Sequence, residues 1–93
     1  MRMRLDKFLK VARLAKRRSE AHEAIEHGRI LRDGKTLKPG QRVAVGDMLE
    51  IHYVHRVVVV RVIEVPLRVT PSVVPAALYD IVETRREQPD EWI

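Results

Sequence analysis

Residues 57–65, VVVVRVIEV, hold six valines and one isoleucine. Side chains branched at Cβ lose rotamer freedom in a helix and pack well on a pleated surface, so this segment is a strand with two usable faces. Strands are predicted at Arg42–Val45, Met48–Val54 and Arg56–Val65. Pro39-Gly40 and Gly46-Asp47 mark the turns that bring the first two into place.

The N-terminal third reads differently. At about 100° per residue, Leu5, Phe8, Leu9 and Ala12 fall on one arc of a helix and Lys7, Lys10 and Arg13 on the other. The apolar arc faces the core. Leu14 would break that division if the helix continued, so the helix is expected to end or bend between Arg13 and Ala15, with Lys16, Arg17 and Arg18 in the connection.

Ser19 is the expected N-cap of a second helix, because its hydroxyl can accept a bond from an otherwise unpaired backbone N–H, and Glu20 suits the positive end of the helix dipole. Ala21, Ala24 and Ile25 supply a small apolar face, and Gly28 is placed to close the helix in the left-handed conformation. Arg29–Arg32 reads as a short strand turning at Asp33-Gly34, a pair that favours a two-residue hairpin.

After the valine-rich strand, Pro66, Pro71 and Pro75 impose an extended connector. Ala76–Arg86 is predicted as a final helix, with Leu78, Tyr79, Ile81 and Val82 making apolar contacts, and the last residues, EQPDEWI, as a loose acidic end. The expected architecture is α+β: two N-terminal helices on a small, mostly antiparallel sheet, with a C-terminal extension ending in a short helix. The division falls at residues 1–65 and 66–93.

Ninety-three residues suffice for one core, and with no cysteine that core cannot rest on disulfides or a thiolate metal site. No apolar run approaches the roughly 20 residues of a membrane span, and the N-terminus lacks a signal-peptide stretch; a soluble cytoplasmic protein is expected. Charge is divided unevenly. Residues 1–42 carry 13 Lys+Arg against 5 Asp+Glu, net +8, whereas residues 43–93 carry 5 against 8, net −3. An anionic partner is expected for the first half.

RNA is the partner these cations suit, since Lys and Arg release its condensed counterions and Arg can also clamp a phosphate or stack on a base. Arg17 and Arg18 precede a helix start whose free N–H groups assist in holding phosphate, and His22 can add a hydrogen bond one turn later. Arg29, Arg32 and Lys35 extend the patch along the hairpin, although cations on a strand edge also discourage aggregation. Aromatic residues are few, and Phe8 belongs in the core by its helical position, so recognition of shaped RNA through its backbone is expected over base stacking.

Catalysis is not expected. His22 and His27 lie five apart without a second ligand at metal spacing, and no phosphate loop, nucleophile elbow or carboxylate pair is present. Asp47 follows Gly46 in a turn and is expected to bond its own backbone. No cofactor or metal is called for.

The ordered occurrence of RLDKFL, KRRSEA, HGRI, DG and VGD between Arg4 and Tyr53 resembles the RNA-binding domain first seen in ribosomal protein S-four. The chain's length, its N-terminal RLDKFLKVARLAKRRS and its AALYDIVE resemble the small stand-alone group that includes heat shock protein fifteen and the bacterial ribosome quality-control factors. The resemblance implies that Arg4 reaches RNA together with Arg18; the alternative is that Arg4 pairs with Asp6. The expected RNA surface is Arg4, Lys7, Lys10, Arg13, Lys16, Arg17, Arg18, Ser19, His22, Arg29, Arg32 and Lys35, with an ordinary solvated helix face as the alternative for Lys7, Lys10 and Arg13.

The implied partners are ribosomal RNA and peptidyl-tRNA on a stalled large ribosomal subunit. A NEMF-like tailing factor would act on the same particle, and the chain would be a monomer. A general RNA chaperone or ribosome-assembly factor is the alternative. A protein-interaction module working through the C-terminal half, with Tyr79, Trp92 and Ile93, is a third reading. One departure stands out. The family's strand before the turn usually ends apolar-Asn-Gly, whereas here it is Arg32-Asp33-Gly34, so either the strand is locally exposed or Arg32 joins the ligand surface.

Overall fold

The valine-rich segment is a strand, and its two faces are used differently. Val58, Val60 and Val62 point into the core, while Val57 is buried on the opposite side of the pleat. The structure, a computed structural model, describes residues 2–86. In chain order these form β1 (Arg2–Arg4), α1 (Leu5–Val11), α2 (Arg18–Glu26), β2 (Ile30–Arg32), β3 (Lys35–Thr36), β4 (Arg42–Ala44), β5 (Met48–His52), β6 (Arg56–Val62), a 3₁₀ turn (Pro75–Leu78) and β7 (Tyr79–Arg86).

A five-stranded antiparallel sheet has the order β3-β2-β5-β6-β7, and β1 pairs with β4 in a separate two-stranded sheet. Both helices cover one face of the larger sheet. Leu5, Phe8, Leu9 and Ala12 of the α1 arc are all buried, as their spacing requires, and meet Ala21 and Ile25 of α2. Ile30, Leu49, Ile51 and the three inward valines form the floor. Burying each large side chain here contributes roughly 1.5–3 kcal/mol. The α+β architecture with two N-terminal helices therefore stands.

Both helices end in the same way. At α2, Gly28 has φ +73°, its N–H bonds the Ile25 carbonyl at 3.0 Å and the Arg29 N–H bonds the Ala24 carbonyl at 3.0 Å. This paired pattern around a left-handed residue is a Schellman motif. At α1 the corresponding bonds run from Arg13 to Lys10 (3.0 Å) and from Leu14 to Leu9 (2.9 Å). The left-handed residue there is Arg13, with φ +58°. The hairpin turn behaves as its residues demand, with Asp33 at φ +55° and Gly34 at φ +77°.

Replacing Gly28 with alanine is expected to cost about 1 kcal/mol, because an L residue is strained at that φ. The added Cβ would also sit 3.4 Å from Thr36 Cγ2, at the edge of ordinary contact. Urea unfolding checks this: an unchanged midpoint would mean the turn relaxes without cost.

Three expectations are corrected. The first is the predicted C-terminal helix over Ala76–Arg86, which is a single 3₁₀ turn followed by strand β7. Tyr79, Ile81, Val82 and Thr84 suit a pleated surface, and β7 supplies seven register partners to the outer edge of β6. A bulge between Val59 and Val60 leaves Val82 as the extra residue. Chain segment 66–93 thus contributes the fifth strand of the sheet. The proposed acidic end, 87–93, lies outside the described residues.

The second concerns Ser19, which is not the cap: α2 begins at Arg18, extended Arg17 (φ −133°, ψ 150°) is the N-cap, and no side chain caps the helix. Ser19 is an exposed residue of the first turn. The third is a strand the sequence reading missed, β1, whose Arg2, Met3 and Arg4 pair with Ala44, Val43 and Arg42.

Candidate RNA-binding surface

The centre of the basic face is a buried acid. Asp6 sits in the first turn of α1 and is only 2% exposed. An ionised carboxylate there must be compensated, and its two oxygens are shared among several donors. Arg4, from β1, forks onto it with Nε 3.3 Å from Oδ1 and Nη2 3.1 Å from Oδ2. Arg18, the first residue of α2, places Nη2 at 3.5 Å from Oδ1. His22 Nδ1, one turn further, lies 3.6 Å from Oδ2, and the Lys7 N–H donates to Oδ1 at 2.7 Å.

Burial pushes the Asp6 carboxyl upward, but the Arg4 hydrogen bonds, the Lys7 N–H and the charges of Arg18 and Arg4 outweigh it, leaving the group below its ordinary value. It is therefore ionised at neutral pH. One carboxylate of α1 gathers side chains from β1 and α2 in one place. Arg4, Arg18 and His22 stay about half exposed, at 45%, 50% and 46% of their side chains, so each guanidinium keeps donors that Asp6 does not engage. His22 Nε2 is also 3.4 Å from Glu26.

The choice posed by the sequence between an RNA-facing Arg4 and an Asp6-paired Arg4 is thus not exclusive. Pairing holds the side chain in place while leaving part of it outward.

Lys7 and Lys10 on α1, Lys16 and Arg17 in the connection, and Lys35 on β3 are exposed cations that make no ion pair among the described residues. Arg13 and Arg29 are likewise exposed, and with Lys16 they line a groove between the helices and the end of the sheet. Arg32 is drawn back into the fold. Its Nη1 lies 2.9 Å from Asp47 Oδ2 and 3.2 Å from the Arg42 carbonyl. Asp47 Oδ2 also accepts the Ala44 N–H at 2.9 Å, the backbone bond expected of an aspartate in this turn. The cation at a core-facing position of β2 is thereby satisfied by a partner across the sheet.

The sequence offered Asp6 only as a partner for Arg4; that Arg18 and His22 converge on the same carboxylate was not legible in it, and neither was the role of Tyr53. Tyr53 donates its hydroxyl to the Leu14 carbonyl at 2.6 Å, tying the helix connection to the sheet, and the Arg56 guanidinium lies 5.1 Å from its ring centre. Burial raises the Tyr53 hydroxyl above its ordinary value, partly opposed by Arg56 and assisted by Tyr79. Among the described residues no group of three or more His, Asp or Glu is placed to hold a metal, and no helix is long and apolar enough to cross a membrane.

Comparison with known proteins agrees with this geometry. The family model described as "S4 domain" matches residues 3–49, which contain the Asp6 cluster and the β2–β3 hairpin. A protein of Halalkalibacterium halodurans named "RQC P-site tRNA stabilizing factor" is 41% identical over 87 residues, covering 94% of both chains. One of the same name from Streptococcus pneumoniae is 39% identical, covering 92% of this chain and 98% of its own. A third, from Listeria innocua, is 50% identical over 60 residues; there the chain spans 65% of the relative's length.

Among solved structures, Vibrio cholerae Heat Shock Protein 15, described as trimeric, superposes with a TM-score of 0.77 at 26% identity, covering 87% of this chain and 82% of that one. With its helices, hairpin and Asp6-centred cluster lying within or against the matched region, and a relative aligned along almost its whole length, this chain belongs to the S4-domain family, alongside the RQC P-site tRNA stabilizing factors.

Proposed function

We propose that this chain is a cytoplasmic RNA-binding factor of ribosome quality control, one that binds ribosomal RNA and the P-site tRNA of a stalled large subunit and holds that tRNA in place. The observation that carries this reading is the Asp6-centred cluster. Half-exposed Arg4, Arg18 and His22 are fixed by one buried carboxylate, and unpaired cations of α1 and the helix connection lie beside them. The name shared by relatives at 39–50% identity, RQC P-site tRNA stabilizing factor, supports the choice of P-site tRNA. The protein acts by positioning and performs no chemistry of its own.

Within this reading, residues 1–65 form the RNA-binding unit and 66–93 its extension. Arg4, Lys7, Lys10, Arg13, Lys16, Arg17, Arg18, His22, Arg29 and Lys35 contact RNA, with Ser19 at the helix start beside them and Arg32 contributing through its pairing with Asp47. A NEMF-like factor extends the nascent chain on the same subunit. In this reading the chain acts as a monomer.

Co-sedimentation at moderate salt tests the reading. Enrichment on large subunits carrying peptidyl-tRNA, over vacant subunits and free ribosomal RNA, is expected. Equal binding to all three would leave a general RNA chaperone or assembly factor. Salt titration adds a second measure: with about six phosphate contacts, log affinity should fall against log salt with a slope near −5 on duplex and somewhat less on other RNA. A flat response would remove the proposed surface.

A further inference from the structure

At the C-terminal end of α1, away from Asp6, the helices and the ends of β5 and β6 enclose an open groove of about 500 Å³. That volume lies within the roughly 300–1,000 Å³ of small-molecule sites. We propose that it takes one unpaired nucleotide of the bound RNA, with the base inside and the phosphates at the rim. The inference rests on the RNA-binding reading and adds a base-recognising site to a surface that otherwise contacts only backbone.

The lining has the chemistry of a nucleotide. Leu9, Ala24 and Ile51 give it an apolar floor. Arg13, Lys16, Arg29 and Arg56 surround it against one carboxylate, Glu20, an imbalance that suits an anion. Glu20 is also an acceptor for the exocyclic amine of a base. Tyr53 stands in the wall, and its bond to the Leu14 carbonyl fixes the ring. Arg56 lies over that ring and is itself exposed, so the outer face of its guanidinium can receive a third planar group. Tyrosine, guanidinium and base would then form one stack.

A second observation concerns Arg13. It occupies the left-handed position of the Schellman motif closing α1, where glycine is the ordinary choice and another residue carries strain. Gly28 fills the same position in α2. An arginine at a site that stability would give to glycine is explained if its side chain is needed at the groove.

Three versions of one RNA stem test the proposal by titration at fixed salt: fully paired, with one bulged adenosine, and with an abasic ribose-phosphate at the bulge. The adenosine stem is expected to bind about tenfold tighter than the abasic one, the range of a single stacked base. Arg56→Ala removes the stacking surface and should erase that ratio, with a melting curve close to the parent's because the side chain is exposed. Arg13→Gly removes a rim cation and should weaken the adenosine and abasic bulges alike relative to the fully paired stem, while melting higher than the parent, so that this loss is not a loss of fold. Lys10→Ala, on the outer arc of α1, should weaken all three stems alike. Equal binding of adenosine and abasic stems by the parent protein would overturn the nucleotide site and leave the RNA surface standing. Failure of all three to bind would overturn the RNA reading beneath it.

Discussion

Replacing Lys7, Lys10 and Arg17 together by alanine is expected to weaken RNA binding on the order of 100-fold at low salt and to make the salt slope shallower by about three. All three are exposed and make no ion pair among the described residues. Their removal therefore deletes phosphate contacts without stranding an internal partner. Each change should alter stability by no more than about 0.5 kcal/mol, so the melting curve should nearly overlay the parent's. Binding that survives with an unchanged salt slope would mean that RNA uses another face. The choice of variant matters, since Arg4 and Arg18 look equally exposed yet hold a buried acid, and their loss would confuse binding with folding.

That distinction separates what could be read from the chain from what could not. The buried arc of α1 follows from the 3.6-residue period, because a helix edge depends on its own residues. The hairpin at Asp33-Gly34 and the left-handed ending at Gly28 were equally local. Where a distant partner decides, the sequence was silent or misleading. Tyr79, Ile81 and Val82 have a spacing compatible with a helix, but β6 offered an open edge and β-branched residues took it. Met3 alternates with two arginines too briefly to announce a strand, and β4 supplies the other half of that pairing.

The basic patch was legible as charge, because charge can be counted without a fold. Its organisation was not. Arg32 seemed a candidate ligand until Asp47, fifteen residues on, came within 2.9 Å. Asp6 was legible as a partner of Arg4 alone, whereas Arg18 and His22 also fold back onto it from α2. In each case the deciding neighbour lies on another element.

The double replacement Arg4→Ala/Arg18→Ala should be the most damaging of the changes considered, at about 2–3 kcal/mol, and worse than Asp6→Asn at about 1 kcal/mol. The order follows from which partner is buried. Without its carboxylate, each half-exposed arginine returns to water at little cost. An asparagine oxygen can still accept the Lys7 N–H that Asp6 accepts at 2.7 Å. Removing the arginines instead leaves an ionised group 2% exposed with its main compensation gone. Both costs fall below those of a fully buried pair because water reaches the half-exposed arginine side.

Acid unfolding separates the variants further. In the parent the Asp6 carboxyl lies below 3.8, so its contribution to stability is present above that pH and is lost as pH falls through the folded value. Asp6→Asn has no such group and should lack that limb of the curve. In the arginine double variant the burial that raises the carboxyl is no longer outweighed by both arginines, so loss of stability should begin at higher pH than in the parent. Chemical denaturation across pH 3 to 7 makes the comparison. If Asp6→Asn proved the more damaging protein, or the double variant kept the parent's acid profile, Asp6 would not be the anchor that holds this cationic surface together.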